Sequence, residues 1–520
     1  MSQKNTAQGA ASLYLSNLLA LFIITGHFII LTNNLSTTEI GIIFAFQIIM
    51  YGLSTIANFA LPIPIMSPLP LPHSITKFIP NYLSNNQKEK ANFLFRYSLV
   101  VVFLTSILLL ILFIFKSELF INQIFQQEIS QYLIIIGAIQ ILFFTLNQFF
   151  FYGLVSISKS YQAGILQIIS VFIRYSLAGI FVILNYGILG VFIGYLIGDI
   201  VFTIVAIFLC KSLLTGKTEK ISFNKIFKYS IPILISSFII FGVTQIDRIF
   251  TLLNLGLPDL GIYTIAIAAS TIGSYAPNAL ATAITPTLAK FESLKKTESF
   301  RSLSRIYTRY VSIIGTPAAF MIASLSLPLT ALFGEEYIAS SIPAAIISIS
   351  IGLTAFSSIY NSQLFVKSET RWIMMANITG LLSFIIIASI SQMLNNNITV
   401  IDLAIGRAVM VIITAGLISY KSFKLGDMKY DKKAITNSLI SSIIMASVLF
   451  ILYNSVFNSL ELIISLIILI PLGIIMYIFM LRQFHTFNKQ DSEFITKIIS
   501  KKSARNISII EKILGIKNEQ

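Results

Sequence analysis

Long apolar segments recur along the whole chain and are separated by short polar stretches. About fourteen such windows can be drawn, each of roughly 20 residues, the length that an α-helix needs to cross the hydrocarbon core of a bilayer. The windows lie at approximately 10–31, 41–63, 93–115, 132–154, 164–184, 188–210, 231–253, 261–283, 310–333, 342–364, 372–394, 399–419, 436–456 and 460–481. This pattern predicts an all-α polytopic membrane protein.

Composition supports the same class. Of the 520 residues, 56% are hydrophobic and only 11% are charged, which is too apolar for a water-soluble domain. One cysteine and three histidines leave no basis for a disulfide framework or a zinc cluster, and no GxxxxGK[ST] phosphate loop is present. We therefore expect no metal and no cofactor, and an activity that does not hydrolyse nucleotide.

The net charge of +15 is distributed unevenly between the windows. Lysine and arginine concentrate in every second connection, whereas the intervening connections hold one cation, Lys116, and several acidic residues. Cations remain on the cytoplasmic side of a membrane. The alternation predicts that both termini are cytoplasmic, and it assigns the positive charge to membrane orientation, so that no nucleic-acid partner is expected.

Two short sequence echoes predict an internal duplication. Asn34–Ile42 (NLSTTEIGI) resembles Asn254–Ile262 (NLGLPDLGI), and Leu196–Val201 (LIGDIV) resembles Ala404–Val409 (AIGRAV). With matching span counts, they predict two lobes of six spans each, at 1–210 and 229–420. Two further spans at 434–482 and a basic cytoplasmic tail at 483–520 follow.

Ionisable side chains inside the windows are the candidate functional residues, because each charge there costs about 2.5–3.5 kcal/mol on insertion scales. They carry a net charge of +1, and arginine can bind phosphate bidentately, so they suit an anionic head group. The substrate-binding candidates are Arg248, Arg407, Arg174, Asp247, Asp199 and His27. No catalytic residue is predicted.

Structural alternatives exist for each candidate. Arg174 and Asp199 could form a pair between neighbouring spans, and Asp247 could neutralise Arg407 or Arg174. Asp247 and Arg248 point about 100° apart on a helix and satisfy each other poorly. His27 is either a proton-coupling group or, as the alternative predicts, a helix-end histidine hydrogen-bonded to a neighbour.

Four segments carry a family resemblance: Ser74–Ala91, Tyr186–Phe202, Tyr229–Ser237 with the following Ile246–Arg248 and Leu260–Ala266, and Pro328–Ser341. In these segments and their order the chain resembles the Wzx-type polysaccharide and oligosaccharide flippases of the multidrug/oligosaccharidyl-lipid/polysaccharide exporter superfamily. The resemblance implies two pseudo-symmetric six-helix lobes around a central cavity and alternating access. It also implies a cargo of oligosaccharide linked by phosphate or pyrophosphate to a polyprenyl or dolichyl carrier. Membrane lipids are further partners, and glycan assembly enzymes are candidate partners.

The resulting expectation is a plasma-membrane flippase, not an enzyme, that moves lipid-linked oligosaccharide to the outer leaflet for surface polysaccharide or glycoprotein synthesis. A cation-coupled multidrug antiporter of the same superfamily is one alternative, although it would favour more acidic residues in the cavity. A lipid II (murein precursor) flippase shares the fourteen-span count. A polytopic lipid-linked sugar transferase is disfavoured because the outer loops are short.

Overall fold

The structure, a computed structural model, describes residues 23–58, 71–121, 125, 129–222, 224–395, 397–425, 430–457 and 460–487. Helices account for nearly all of these residues, and no strand occurs among them. Residues 10–22 of the first predicted span and 488–520 of the predicted tail lie outside the described residues. The all-α prediction is confirmed.

The helices follow one another with short connections. The first ten are α1 Ile23–Thr32, α2 Thr37–Asn58, α3 Leu71–Ser84, α4 Lys88–Phe115, α5 Ser117–Phe120, α6 Gln131–Ser156, α7 Ser160–Ile183, α8 Gly187–Leu209, α9 Lys211–Leu214 and α10 Asn224–Asn254. The others are α11 Leu257–Ser293, α12 Thr297–Ser324, α13 Ser326–Ala331, α14 Ser341–Thr354, α15 Ser357–Val366, α16 Thr370–Asn395, α17 Val400–Lys424, α18 Lys432–Leu452 and α19 Leu462–Gln483. A 3₁₀ segment, Glu335–Ser340, precedes α14, and a π-helical segment, Tyr453–Phe457, follows α18.

Eleven helices of the described chain are long and apolar enough to cross a membrane. They coincide with predicted spans two to seven and ten to fourteen, and α1, α11 and α12 occupy the positions of the remaining three. Large apolar side chains on their outer faces are exposed to the surroundings, for example Met393 (82%) and Phe208 (72%). Such surfaces are stable only against lipid, and the chain is a multi-pass membrane protein.

The tenth predicted span is not one continuous helix. It consists of α14 and α15, with Ala355 and Phe356 between them. The Ser358 hydroxyl donates to the carbonyl oxygen of Ala355 at 2.9 Å. Hydropathy did not predict this interruption. The serine bond alone does not account for it, since serines inside unbroken helices make the same kind of bond.

The helices pack as two compact units. The first comprises the described residues of Met1–Thr264 together with Ser391–Leu403, and the second those of Ile265–Ile390 and Ala404–Gln520. In the first unit, α3, α4, α6 and α8 bury an aromatic and aliphatic core around Phe95, Phe149 and Phe150. The division into lobes at 1–210 and 229–420 stays a prediction.

Within the first unit, α7 and α8 approach closely through glycines spaced four residues apart. A Cβ on Gly190 would lie 2.7 Å from Phe181 Cβ, one on Gly194 would overlap the backbone nitrogen of Ala178, and one on Gly198 would lie 2.6 Å from Arg174 Cβ. Small residues at this spacing let membrane helices pack backbone to backbone. The glycine series therefore brings Arg174 of α7 against α8.

The sequence echo at residues 34–42 and 254–262 forms a reciprocal contact in the first unit. A Cβ on Gly41 would overlap the carbonyl oxygen of Leu257, and one on Gly261 would overlap the carbonyl oxygen of Thr37. Thr37 and Leu257 each stand four residues before their own glycine. Equivalent residues thus exchange equivalent contacts, which is the geometry that a two-fold relation produces.

A buried arginine joins three segments of the second unit. Arg309 of α12 donates to Asp431 Oδ2 at 2.8 Å and also to the carbonyl oxygen of Thr486. Asp431 in turn caps α18 by accepting from the Ala434 amide at 3.0 Å. Both charged side chains are about nine-tenths buried, with 8% and 10% exposed. The junction fixes the start of α18 and the chain after α19 to α12.

We expect Gly194→Ala to destabilise the protein, because the added methyl group meets backbone atoms of α7 that cannot move independently. Overpacking of this kind lowers the free energy of unfolding by about 1–3 kcal/mol. Thermal unfolding in detergent measures the effect. Gly416→Ala in α17 is the matched control, since nothing lies within 4 Å of its Cβ position. Equal melting temperatures for the two variants would contradict the close α7–α8 contact.

Acid should weaken the Arg309 junction. Burial alone would raise the pKa of Asp431, but bonds from the Ala434 amide and the Arg309 guanidinium outweigh it, so that the pKa lies below the usual carboxyl value. A carboxyl group whose pKa is lower in the folded than in the unfolded protein stabilises the fold at pH values above its unfolded pKa of about 3.9. This stabilisation is lost as the pH falls through the folded-state pKa. Wild type should therefore melt above Asp431→Asn at neutral pH, with the difference vanishing in acid. Asparagine can still cap α18, and a pH-independent difference would exclude the ion pair as its cause.

Candidate functional site

Two candidate residues meet in the first unit, inside the membrane-spanning helices. Arg174 of α7 lies with Nη1 3.6 Å from Asp199 Oδ1 of α8, and their side chains are only 12% and 4% exposed. The neighbouring Ser170 hydroxyl donates to the carbonyl oxygen of Gly198 at 3.0 Å and holds the two helices together there. The structure thus brings Arg174 and Asp199 into one charge pair.

The carboxylate of this pair is held mainly by neutral groups. The Asn147 amide of α6 donates to Asp199 Oδ1 at 3.0 Å. The amide oxygen of Asn147 accepts from the Thr203 hydroxyl at 2.7 Å, and its nitrogen faces the carboxylate because an ionised carboxylate can only accept. Gln140 of α6 lies beside the same carboxylate. Asp199 is therefore anchored to α6 and its own helix.

The guanidinium is positioned differently. Arg174 Cζ lies 4.4 Å from the centre of the Tyr195 ring and 5.6 Å from that of Tyr175, both within cation–π range. Its Nε–H has no hydrogen-bond partner among the described residues. The distance of 3.6 Å to the carboxylate exceeds that of a protein hydrogen bond. Ring faces and charge, and not hydrogen bonds, hold this arginine.

His27 of α1 completes the cluster. Its Nε2 lies 2.8 Å from the Tyr195 hydroxyl, and its ring centre is 4.6 Å from that of Tyr175. Only 3% of the residue is exposed, and the backbone of Tyr175 also forms a hydrogen bond with its ring. The histidine is thus hydrogen-bonded to a neighbour, as the structural alternative predicted, and belongs to the same polar cluster as Arg174.

A small cavity adjoins the cluster. Its polar lining comes from Gln47, Gln140 and Tyr195, and apolar side chains of α2, α6 and α8 form the rest. Gln140 also lies beside Asp199, and Tyr195 also packs under Arg174. Gln140 and Tyr195 therefore line the cavity and also contact the charge pair. We use the name Arg174 site for this cavity together with seven side chains: His27, Asn147, Arg174, Tyr175, Tyr195, Asp199 and Thr203.

The candidates on α10 have separate partners. Asp247 is fully buried and its Oδ2 accepts from the Tyr263 hydroxyl at 2.9 Å. Arg248 is half-buried and its Nη1 donates to Gln245 Oε1 at 3.3 Å. Their divergence agrees with the angle between successive helical residues. Arg407 of α17, partly buried, lies in the second unit.

The polar partners at the Arg174 site were not selected from the sequence. Tyr195 stands one helical turn before Asp199, and Asn147 interrupts the apolar α6 window, so both carried a readable signal. Metal binding has no support in the described chain, where no three His, Cys, Asp or Glu side chains gather. The site is suited to binding a charged or polar group.

Residues 83–342 match the polysaccharide biosynthesis protein family, half of the chain, and the protein belongs to this family. No protein of curated function matches the sequence.

Solved structures share the fold. The lipid II flippase MurJ in an inward closed conformation superposes with a TM-score of 0.66 at 19% identity, over 92% of this chain and 98% of that one. An inward-facing MATE family multidrug resistance transporter of the MOP superfamily superposes with a TM-score of 0.63 at 14% identity, over 81% of this chain and 98% of that one. A MOP superfamily transporter from Pyrococcus furiosus superposes with a TM-score of 0.57 at 12% identity, over 86% of this chain and 98% of that one. The fold is that of the MurJ and MATE exporters.

Proposed function

We propose that this protein is a flippase that moves a lipid-linked oligosaccharide from the cytoplasmic to the outer leaflet of the plasma membrane, with both termini cytoplasmic. The carrier is a polyprenyl or dolichyl phosphate or pyrophosphate. Membership of a polysaccharide biosynthesis family and the exporter fold support this proposal. The proposed action is transport and not an enzymatic reaction.

The observation that carries the proposal is the Arg174 site. A glycan head group is too polar to cross hydrocarbon unaided, whereas its lipid tail can remain in the bilayer. A charged guanidinium held within spanning helices, with an Nε–H that lacks a hydrogen-bond partner in the described parts of the chain, is suited to contact the anionic group that joins sugar to lipid. We assign this contact to Arg174.

A lipid II flippase is the second candidate function. The MurJ structure covers 92% of this chain, compared with 81% for the inward-facing MATE transporter. Lipid II also carries a pyrophosphate between its lipid and its sugars, so the Arg174 site would serve either cargo. The chemical nature of the glycan that accumulates on depletion separates these two candidates.

Depletion of the protein should trap intact lipid-linked oligosaccharide in the inner leaflet, measured with a probe that reaches only the outer leaflet. Wild type and Arg371→Gln, a change at an exposed arginine, should restore exposure. Arg174→Gln should reduce it at least about tenfold, since bonds between charged groups are lost. Normal exposure with lost drug resistance would instead indicate an antiporter, and accumulation of unextended precursor a transferase.

Alternating access needs a contact that closes one side of the transport path and later opens. We assign this role to the reciprocal contact of Gly41 with Leu257 and of Gly261 with Thr37. Backbone-to-backbone contact excludes solvent, and Leu257 is only 3% exposed. The charge distribution predicts that this contact lies on the outer side.

Gly41→Ala should hold that contact open, because its methyl group overlaps the Leu257 carbonyl oxygen. A cysteine placed at position 257 should react slowly with a membrane-impermeant maleimide in the wild-type background and faster with Gly41→Ala. The native Cys210 is buried and adds little background. Gly26→Ala is the control, having no atom within 4 Å of its Cβ position. Unchanged labelling would refute the assignment.

A further inference from the structure

The Arg174 site holds its two charges by different means, and this difference has a functional consequence. We infer that Asp199 is an exchangeable counter-ion: an anionic phosphate group of the cargo replaces it at Arg174, and its return helps to release that group. This inference rests on the proposed function in taking the anion to be the linkage of a lipid-linked glycan. It adds a residue that regulates binding without contacting the cargo.

The anchoring of Asp199 makes the exchange feasible. Its Oδ1 keeps the Asn147 amide at 3.0 Å, whether or not Arg174 is engaged elsewhere. The Thr203 hydroxyl lies 2.7 Å from Asn147 Oδ1, while the amide nitrogen of Asn147 donates to the carboxylate. If the contact at 3.6 Å with Arg174 is lost, Oδ1 keeps its bond from Asn147. Oδ2 has no hydrogen-bond partner among the described residues, and this unsatisfied buried charge favours the return of Asp199 to the arginine.

The guanidinium of Arg174 has hydrogen-bond donors that a phosphate group could use. A planar guanidinium has five N–H donors in a fork that matches phosphate. Here Tyr195 and Tyr175 fix its position through their ring faces, which uses none of those donors. The Nε–H lacks a partner among the described residues, so a phosphate oxygen would gain hydrogen bonds that Asp199 does not provide.

The surroundings provide access and a reason for release. The cavity beside Tyr195 and Gln140 is no larger than a water molecule, so the anion would approach Arg174 at the exposed 12% of its side chain. With an anion bound, the Asp199 carboxylate stands close to a second negative charge in a medium of low polarity, where repulsion is strong. Binding is thereby weakened enough for the cargo to leave, and without cargo the carboxylate neutralises the arginine.

Binding of inorganic pyrophosphate to the purified full-length protein in lipid nanodiscs tests the exchange by calorimetry. Asp199→Asn removes the competing charge and should strengthen binding about tenfold or more. Asn147→Ala frees the carboxylate to approach Arg174 and should weaken binding. Arg174→Gln should abolish binding and also the gain from Asp199→Asn in the double variant. Glu336→Gln, an exposed site in the second unit, controls for net charge.

The opposite signs expected for Asp199→Asn and Asn147→Ala make the test independent of any single variant's folding. Equal or weaker binding by a folded Asp199→Asn protein would overturn the inference, as would the absence of pyrophosphate binding in every variant. If Asp199→Asn binds more tightly but depletion leaves oligosaccharide exposure normal, the exchange holds and the flippase proposal fails. If depletion traps the precursor but Asp199→Asn changes nothing, only the exchange fails.

Discussion

The close approach of α7 and α8 is the constraint on which the Arg174 site depends. Three glycines on α8 remove the side chains that would keep the helices apart, and the last of them, Gly198, lies against Arg174. Asp199 is the next residue, so the same backbone contact sets the distance between the two charges. Without a partner so near, the arginine would carry the cost of a charge within a membrane-spanning segment.

The two copies of the internal repeat share their glycine contacts but not their charged residues. Gly41 and Gly261 occupy equivalent places in the two copies of the echo, and each contacts the backbone four residues before the other. Only glycine permits that approach, because any Cβ would overlap a carbonyl oxygen. The charged positions differ between the copies, since His27 aligns with Asp247 and Asp199 with Arg407. Packing needs the same atoms in both copies, whereas binding one cargo does not.

Hydropathy predicted the eleven long apolar helices of the described chain, because a bilayer imposes one length on every apolar segment. It could not predict the break between α14 and α15, because that break lies inside a continuous apolar window. Charge counting identified Arg174, Asp199 and His27, but not that Tyr195 would connect them. That connection requires α1, α7 and α8 to converge, and residues 27 and 195 are 168 positions apart. Side-chain polarity is local information, whereas a site built across helices is not.

Two buried arginines are held by different kinds of contact. Arg309 donates hydrogen bonds to a carboxylate and a carbonyl group, and removing either partner would leave a buried donor unsatisfied. Arg174 is buried to a similar degree, yet it is held by aromatic rings and by a carboxylate beyond hydrogen-bond distance. From sequence alone each is an arginine near an apolar segment. Arg174 differs from Arg309 in keeping a buried Nε–H without a hydrogen-bond partner among the described residues, which is unusual because buried donors are normally satisfied.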